Sequence, residues 1–239
     1  MATNKHREEL AAMTETPFNQ RHCCWFCGEP NQVHVIFPPH QTLSSYHKKK
    51  HLVLNCPHPV IAVPSCKECQ GFANKANENN IWSVNASVKK QLLGKYAKDL
   101  AIGVNWTPQE LASSEFEEGN FAGFARSAWF IYEVARGRVN FVGWPLVANG
   151  LLLDEGKAEQ ESFCFDGVDY PDISDAISHY ANIFFLDRHY FSAVLQQVSN
   201  GMISQQSFAK AVRFCRLLVN ATPNELKSAF KELQSNSVQ

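Results

Sequence analysis

Two Cys-x-x-Cys pairs, Cys24/Cys27 and Cys66/Cys69, are the residues of this sequence whose type and spacing best suit metal chemistry. The pairs are separated by 38 residues. Each pair supplies two thiolates from one tight turn, and two such pairs can close a tetrahedral cage around a single Zn²⁺. Ordinary buried thiols or disulfides are the alternative. Zinc held by four thiolates has no open position, so such a site stabilises a fold and does not activate water.

The residues flanking the two pairs favour the metal interpretation. Gly28 follows the first pair, where a knuckle turn with positive φ prefers glycine. Pro64 precedes the second pair, and a polar run that suits a helix follows it. A thiolate in the first turn of a helix is stabilised by the helix dipole. A turn, a hairpin and a helix in this order are typical of a treble-clef zinc site.

Strand and helix patterns extend along the chain on both sides of the second pair. Residues 32–37 predict a strand, and residues 52–54 or 60–63 predict its partner. A helix is predicted from residue 65 to about 79 and an amphipathic helix over 87–100. Farther on we predict a short helix starting at the Thr107 capping box, a central buried helix over 121–136, strands at 138–142 and 162–170, and helices at about 173–186, 190–198, 205–219 and 223–233.

The predicted fold class is α+β and predominantly helical. The chain has 239 residues and 45% hydrophobic content, which is enough to bury a core in one or two domains. We predict a polar lead-in over residues 1–20, a zinc module over 21–85 and a helical domain over 86–239 with a small strand insertion at about 138–170.

The N-terminus is charged and lacks the apolar segment of a secretory signal, and no apolar run is long enough to span a bilayer. We therefore expect a cytoplasmic protein with no membrane partner, in a reducing compartment that favours metal binding over disulfides. Residues 1–100 carry 12 Lys/Arg against 7 Asp/Glu, and the remainder carries 10 against 16. A polyanion is expected to meet the N-terminal part.

Residues 21–78 resemble the zinc-bound form of the HNH nuclease module, in the segments CWFCG, VHVIFP and AVPSCKECQGFANK. The resemblance implies that His34 is the general base and that Mg²⁺ or Mn²⁺ is the catalytic ion. It also implies an Asp, an Asn and an Asn at positions that are Val33, Ile61 and Gln70 here. A catalytic ion would need other ligands, for which the candidates are Asn55, His58, Asn74 and Glu68.

Basic residues predict contacts with nucleic acid, DNA more than RNA. They cluster in the loop over residues 41–58 and on the helix over 87–100, where the candidates are His47, Lys48, Lys49, Lys50, His51, Lys89 and Lys90. A second zinc site involving His47, His51, Cys56 and His58 is an alternative use of this loop.

Three functions follow from these patterns. The first is a zinc-binding, HNH-like nucleic-acid-binding protein with weakened or lost nuclease activity. The second is an active metal-dependent endonuclease with His34 as base. The third is a zinc-stabilised interaction protein whose acidic C-terminal half docks another protein. Residues 95–111 resemble stretches that follow such zinc modules in mobile-element and phage-type proteins.

Overall fold

A computed structural model describes residues 11–38, 56–112, 122–153, 162–199 and 201–236. Within these ranges the chain is mixed α+β and mostly helical, as predicted. None of the helices in the described ranges is long and apolar enough to cross a membrane.

A small three-stranded sheet organises the N-terminal part. Strand β2 (Val33–Phe37) pairs antiparallel with β3 (Ile61–Ser65), so that His34 lies opposite Pro64. Strand β1 (Ala12–Met13) adds to the other side of β3 in parallel. Every residue of β3 is buried, as expected for the central strand of a sheet covered by helices. The predicted strand at 32–37 is confirmed, and its partner is the segment predicted at 60–63.

Helices α1 (Lys67–Ala73), α2 (Ile81–Lys95) and α3 (Ala97–Asn105) follow the sheet. The predicted helix over 65–79 is wrong in length, since it ends at Ala73 and Asn80 then caps α2 by accepting a hydrogen bond from the Ser83 N–H at 2.8 Å. The predicted helix over 87–100 is two helices that meet at Tyr96, whose backbone leaves the helical region. Val88 and Leu92, one turn apart on α2, are fully buried, as expected for the apolar side of an amphipathic helix.

Helix α4 (Pro108–Ala112) starts at the predicted capping box, where the Thr107 hydroxyl accepts from the Glu110 N–H at 3.2 Å. Helix α5 (Ala122–Asn140) corrects two predictions. Gly137 does not end it, and residues 138–140 are helical rather than a strand. A glycine on the exposed side of a helix weakens it by about 1 kcal/mol without stopping it, and Gly137 is exposed.

The prediction that this helix is buried is also wrong. Tyr132, Ala135 and Val139 are buried on one side of α5, whereas Phe130 and Ile131 are 65% and 45% exposed. The density of apolar residues suggested burial all round, but the spacing of the buried positions is that of a helix covered on one face.

Two short hairpins and a set of helices complete the described chain. The hairpins pair β4 (Val147–Ala148) with β5 (Leu151–Leu152), and β6 (Phe163–Phe165) with β7 (Val168–Tyr170), so the strand predicted at 162–170 is a hairpin. The four predicted C-terminal helices are confirmed as α6 (Ile173–Phe184), α7 (Arg188–Ser199), α8 (Gln205–Arg216) and α9 (Pro223–Asn236). Phe208 lies at the centre of their packing, with the rings of Phe165, Tyr180 and Phe191 within 5.4 Å of its ring centre.

One hydrophobic core runs from the four cysteines through α2 to Phe208 and Cys215. The domain boundary predicted between residues 85 and 86 falls inside α2. Because α2 packs against α1 on one side and against α5 and α6 on the other, it connects the N-terminal part to the helical part.

His58 ties the segment before β3 to the start of α2. Its Nδ1 donates to the Pro59 carbonyl at 2.9 Å, which leaves Nε2 to accept from the Ile81 N–H at 3.1 Å. The ring is 9% exposed and packs against the rings of Phe37 and Trp82. Both nitrogens therefore have protein partners, and the prediction that His58 ligates a second ion is disfavoured because neither nitrogen is free for a metal.

Replacing His58 with phenylalanine keeps the ring contacts but removes the acceptor for the Ile81 N–H. We expect the free energy of unfolding at about pH 7.5 to fall by about 1–3 kcal/mol, because a buried N–H is left unsatisfied. Burial lowers the pKa of His58 from its ordinary 6.5. The unfolded chain thus takes up the proton first, and the contribution of His58 is present above pH 6.5 and is lost as the pH falls through the folded pKa.

Urea unfolding at several pH values measures this effect. Stability should fall less steeply below about pH 6.5 in His58→Phe than in the unchanged protein. Burial also lowers the pKa of His179, to about 4, so part of the acid sensitivity remains in the variant. The exposed His189 provides the control His189→Phe, which should leave the profile unchanged. An identical slope in His58→Phe and the unchanged protein would contradict this role.

Candidate metal centre

The four predicted cysteine ligands converge. The sulfur atoms of Cys24, Cys27, Cys66 and Cys69 all lie within 4.8 Å of one another, and all four residues are buried. The Sγ atoms of Cys27 and Cys66 are 3.8 Å apart, so these residues are free thiols and not a disulfide. Within the described ranges this is the one group in which three or more Cys, His, Asp or Glu side chains are close enough to share an ion.

The first pair lies on a knuckle turn that the local sequence builds. The Gly28 N–H donates to the Cys24 carbonyl at 2.9 Å, and the Cys24 N–H donates to the Glu29 carbonyl at 2.6 Å. Gly28 has φ +75°, and a Cβ there would lie 2.8 Å from the Phe141 ring. Glycine is therefore required twice, for the left-handed backbone and for the close approach of Phe141.

The second pair lies at the start of α1, as predicted. Cys66 is the N-cap residue, and its sulfur accepts a hydrogen bond from the Cys69 N–H at 3.4 Å. A negative charge on this sulfur faces the positive end of the helix dipole. The paired strands β2 and β3 lead from the knuckle to this helix, so the hairpin sets the distance between the two pairs.

Hydrogen bonds among the four sulfurs lower the pKa of two of the thiols and raise the pKa of the other two. The bond to Cys27 lowers the pKa of Cys24 to about 7, and the bond to Cys24 lowers the pKa of Cys66. The same contacts raise the pKa of Cys27 and Cys69. Four buried sulfurs at this spacing hold some of their protons unless a cation neutralises them. The donor set fits a soft divalent ion such as zinc, which replaces those protons.

Arg138 brings a positive charge from α5 to the sulfurs. Its Nη2 donates to the Cys27 sulfur at 3.6 Å and also bonds Glu68. Burial alone would lower the pKa of Arg138, but its bonds to Cys27 and Glu68 raise it, so the guanidinium stays charged. Glu68 is in turn held by Lys95 and by the Tyr96 hydroxyl at 3.0 Å. Glu68 is thus held in an ion-pair network, which disfavours the prediction that it binds a catalytic ion.

Lys89 lies close to the same centre but bonds the backbone. Its Nζ donates to the Val139 carbonyl at 2.9 Å and to the carbonyls of Arg138 and Phe141. These groups are at the C-terminal end of α5, where orphan carbonyls and the helix dipole favour a cation. Burial lowers the pKa of Lys89 to about 8, although the negative charge of the sulfurs acts to raise it.

Both lysines predicted to contact nucleic acid on α2 have partners within the protein. Lys89 caps α5, and the Lys90 ammonium lies 2.7 Å from the buried Asp175 carboxylate. If Lys89 contacted a phosphate, it would lose its hydrogen bonds to the carbonyls at the C-terminal end of α5. Lys90 is 58% exposed and keeps part of its ammonium at the surface.

His34 lies at the surface of β2, away from the four sulfurs. Its side chain is exposed, and its backbone carbonyl accepts a hydrogen bond from Gln70 Nε2 at 2.9 Å. Gln70 therefore lies beside His34, on the first helix after the hairpin. Asn74 ends α1 with an exposed side chain. Asn55 and the predicted loop contacts His47, Lys48, Lys49, Lys50 and His51 lie outside the described residues.

The contact of Arg138 with the centre and the position of Lys89 at the end of α5 were not predicted. Arg138 fell in a segment predicted as a strand, and Lys89 was predicted to contact nucleic acid. No motif marks either contact, because each depends on where α5 ends relative to the knuckle. The local excess of cations near four thiols is the one signal that could have indicated them.

Replacing Cys69 with serine removes one sulfur ligand. We expect the loss of one bound divalent ion per chain and a fall in the free energy of unfolding of about 4 kcal/mol or more. The matched control is Cys215→Ser, a buried thiol outside the cluster, which should keep the metal and lose only about 1–3 kcal/mol. Elemental analysis and chelator titration measure both. Purified protein without bound metal would contradict a metal centre.

Replacing Arg138 with glutamine removes the charge beside Cys27. We expect metal affinity to fall about tenfold, because groups that bond a ligand atom typically contribute that much. Arg136→Gln is the control on the same helix, since Arg136 stacks on the Tyr132 ring and no described contact joins it to the sulfurs. Competition with a coloured chelator measures the affinity. Equal affinity in the two variants would show that Arg138 does not support the centre.

No family model, curated protein or solved structure matches this chain.

Proposed function

We propose that this protein binds nucleic acid through a zinc-stabilised, HNH-like treble-clef module that does not cleave its target. The observation that carries the proposal is the surroundings of His34. This histidine is exposed next to Gln70, and among the described residues it belongs to no group of three or more Cys, His, Asp or Glu side chains that could share an ion. The surface suits an anionic partner, and the residues described around it do not form the ligand cluster that hydrolysis would need.

The treble-clef assignment rests on the order of the local elements. A knuckle carries the first Cys pair, a hairpin follows, and a helix starts at the second pair. Four sulfurs with no water-bearing position suit structural Zn²⁺. The metal would fix the knuckle against α1, which in turn fixes the surface around His34.

We define the His34 face by five exposed residues on β2, on the segments that lead into β2 and at the start of α1: Arg21, His22, Gln32, His34 and Lys67. Lys67 lies one helical turn before Gln70, whose amide bonds the His34 backbone, so both lie on one side of α1. The backbones of Arg21 and His22 bond Asn31, just before β2. Glu68 bonds Arg138 and Lys95 instead, so the formal charges among the five residues of the face are those of Arg21 and Lys67.

A positive face of this kind attracts phosphates. Each lysine or arginine that neutralises a phosphate releases counterions, and affinity then falls with rising salt. The exposed rings of His34 and His22 add hydrogen-bonding groups to this face. The basic residues predicted in the loop over 41–58 follow β2 in the sequence, and residues 47–51 lie outside the described residues.

Cleavage of a phosphodiester needs more than a general base. The aspartate and the two asparagines that the HNH resemblance implies are replaced by Val33, Ile61 and Gln70, and Ile61 is fully buried. Two of the remaining described candidates are occupied, since Glu68 bonds Arg138 and His58 bonds two backbone groups. His34 without an ion cannot stabilise the charge that builds on a phosphate.

The exposed apolar side of α5 favours a second candidate, a protein-interaction module. Phe130, Ile131 and Val134 are 65%, 45% and 37% exposed on one helix. Exposed apolar patches mark interaction sites more often than scattered apolar residues do. This function would use the helical half of the chain, whereas nucleic acid would use the His34 face.

Titration of a fluorescent oligonucleotide tests the leading proposal. We expect binding at low salt that weakens as salt rises, and a loss of about threefold or more in Lys67→Gln with a shallower salt slope. Lys227→Gln, an exposed lysine on α9, is the matched control and should bind like the unchanged protein.

Nuclease activity is tested by incubating the protein with supercoiled plasmid and Mg²⁺ or Mn²⁺ and measuring nicking. We expect no nicking above background. Nicking that disappears in His34→Ala but persists in His22→Ala would establish an active endonuclease and defeat the proposal. If no nucleic acid binds at low salt, the protein-interaction candidate stands in its place.

A further inference from the structure

A cleft of about 610 Å³ lies between the knuckle, α2 and the segment that leads into the β4–β5 hairpin. Three of the five tryptophans of the chain line it, one from each of these parts. Its walls include Trp25, Trp82, Trp144, Asn85, Pro145 and Leu153. Flat aromatic walls with few polar groups are typical of sites for planar organic ligands.

The tryptophan walls are held in place by the surrounding fold. Trp25 Nε1 donates to the Trp144 carbonyl at 2.8 Å. Gly143 makes this approach possible, since a Cβ there would lie 2.8 Å from the Trp25 carbonyl oxygen. The Trp82 ring packs edge-on against His58, with ring centres 5.4 Å apart. Because His58 is fixed by its two backbone bonds, the cleft is built before any ligand arrives.

Two polar atoms of the lining residues have no hydrogen-bond partner. They are the Asn85 Oδ1 acceptor and the Trp144 Nε1 donor, both shielded from solvent, and Trp144 is 7% exposed. A buried donor or acceptor without a partner is costly, so such a group requires an explanation. A ligand that presents both a donor and an acceptor would satisfy the pair.

We propose that this cleft binds an unpaired nucleobase of a single-stranded nucleic acid. The inference rests on the proposed function and narrows it to one class of target. A base has a planar π-face that can stack on the half-buried Trp82 indole, and an edge that carries donors and acceptors for Asn85 and Trp144. A sugar would also stack on tryptophan, but its many hydroxyls would need more polar partners than these two atoms.

The shape around the cleft suits a chain of nucleotides. A second hollow of about 390 Å³ shares Trp82, Asn85 and Val142 with the first and continues past Lys89 and Asp169. The knuckle joins the cleft to the His34 face, because the Trp25 N–H donates to the carbonyl of Pro64, the residue paired with His34. In a duplex the base edges are paired and cannot enter.

Fluorescence titration of the metal-loaded protein tests the proposal. The probes are a single-stranded oligonucleotide, its matched duplex and an abasic sugar-phosphate oligomer of equal length. We expect the single strand to quench tryptophan emission and to bind about fivefold or more tighter than the other two probes. Asn85→Leu and Trp82→Leu should each reduce this preference to less than twofold.

The control is Trp106→Leu, which removes a 43% exposed tryptophan outside the cleft and should keep the preference. Metal content and circular dichroism establish that each variant is folded, and Asn85→Leu is the decisive one because it changes no wall ring. If the abasic oligomer binds as tightly as the single strand, the base site is wrong and nucleic-acid binding stands. If none of the three probes binds at low salt, both proposals are wrong.

Discussion

Four sulfur atoms held within 4.8 Å of one another in a buried site are the constraint on which the N-terminal architecture depends. The two pairs come from distant points of the chain, and the five-residue strands β2 and β3 are the main elements that bring them together. A divalent ion bound by four thiolates leaves a doubly negative group in a poorly solvated place, which is costly without nearby positive charge. Arg138 supplies that charge from α5, and Lys89 lies near enough to add to it.

This charge balance connects the metal centre to the helical part of the chain. Arg138 bonds a cysteine sulfur on one side and Glu68 on the other, while Lys89 holds the end of the same helix. The end of α5 is therefore positioned by electrostatics as well as by packing. Because the cations belong to α5 and α2, the centre and the helices are expected to be stable together, which agrees with the single core that runs through both.

The ligands and the strand beside them could be predicted because their signals are local. Cys spacing, Gly28 and the β-branched run before Phe37 each specify a conformation within a few residues. The end of α5 could not be predicted in this way. Gly137 predicts the end of the helix. The carbonyls beyond it, however, accept hydrogen bonds from Lys89, which is about fifty residues away in sequence. The end of α1 and the break at Tyr96 could not be predicted for the same reason, since caps and packing against other elements determine where these helices end.

The knuckle also connects the metal to both surfaces on which function is proposed. Trp25 stands between two of the sulfur ligands, so its backbone is fixed by the same turn that positions Cys24 and Cys27. Its indole bonds the Trp144 backbone in the cleft, and its N–H bonds Pro64, whose strand partner is His34. A metal that performs no chemistry can thus determine where an aromatic wall and a basic face lie relative to each other. An ion bound by the four sulfurs would preorganise these groups, because an ordered site avoids the entropy cost of assembling them when a ligand arrives.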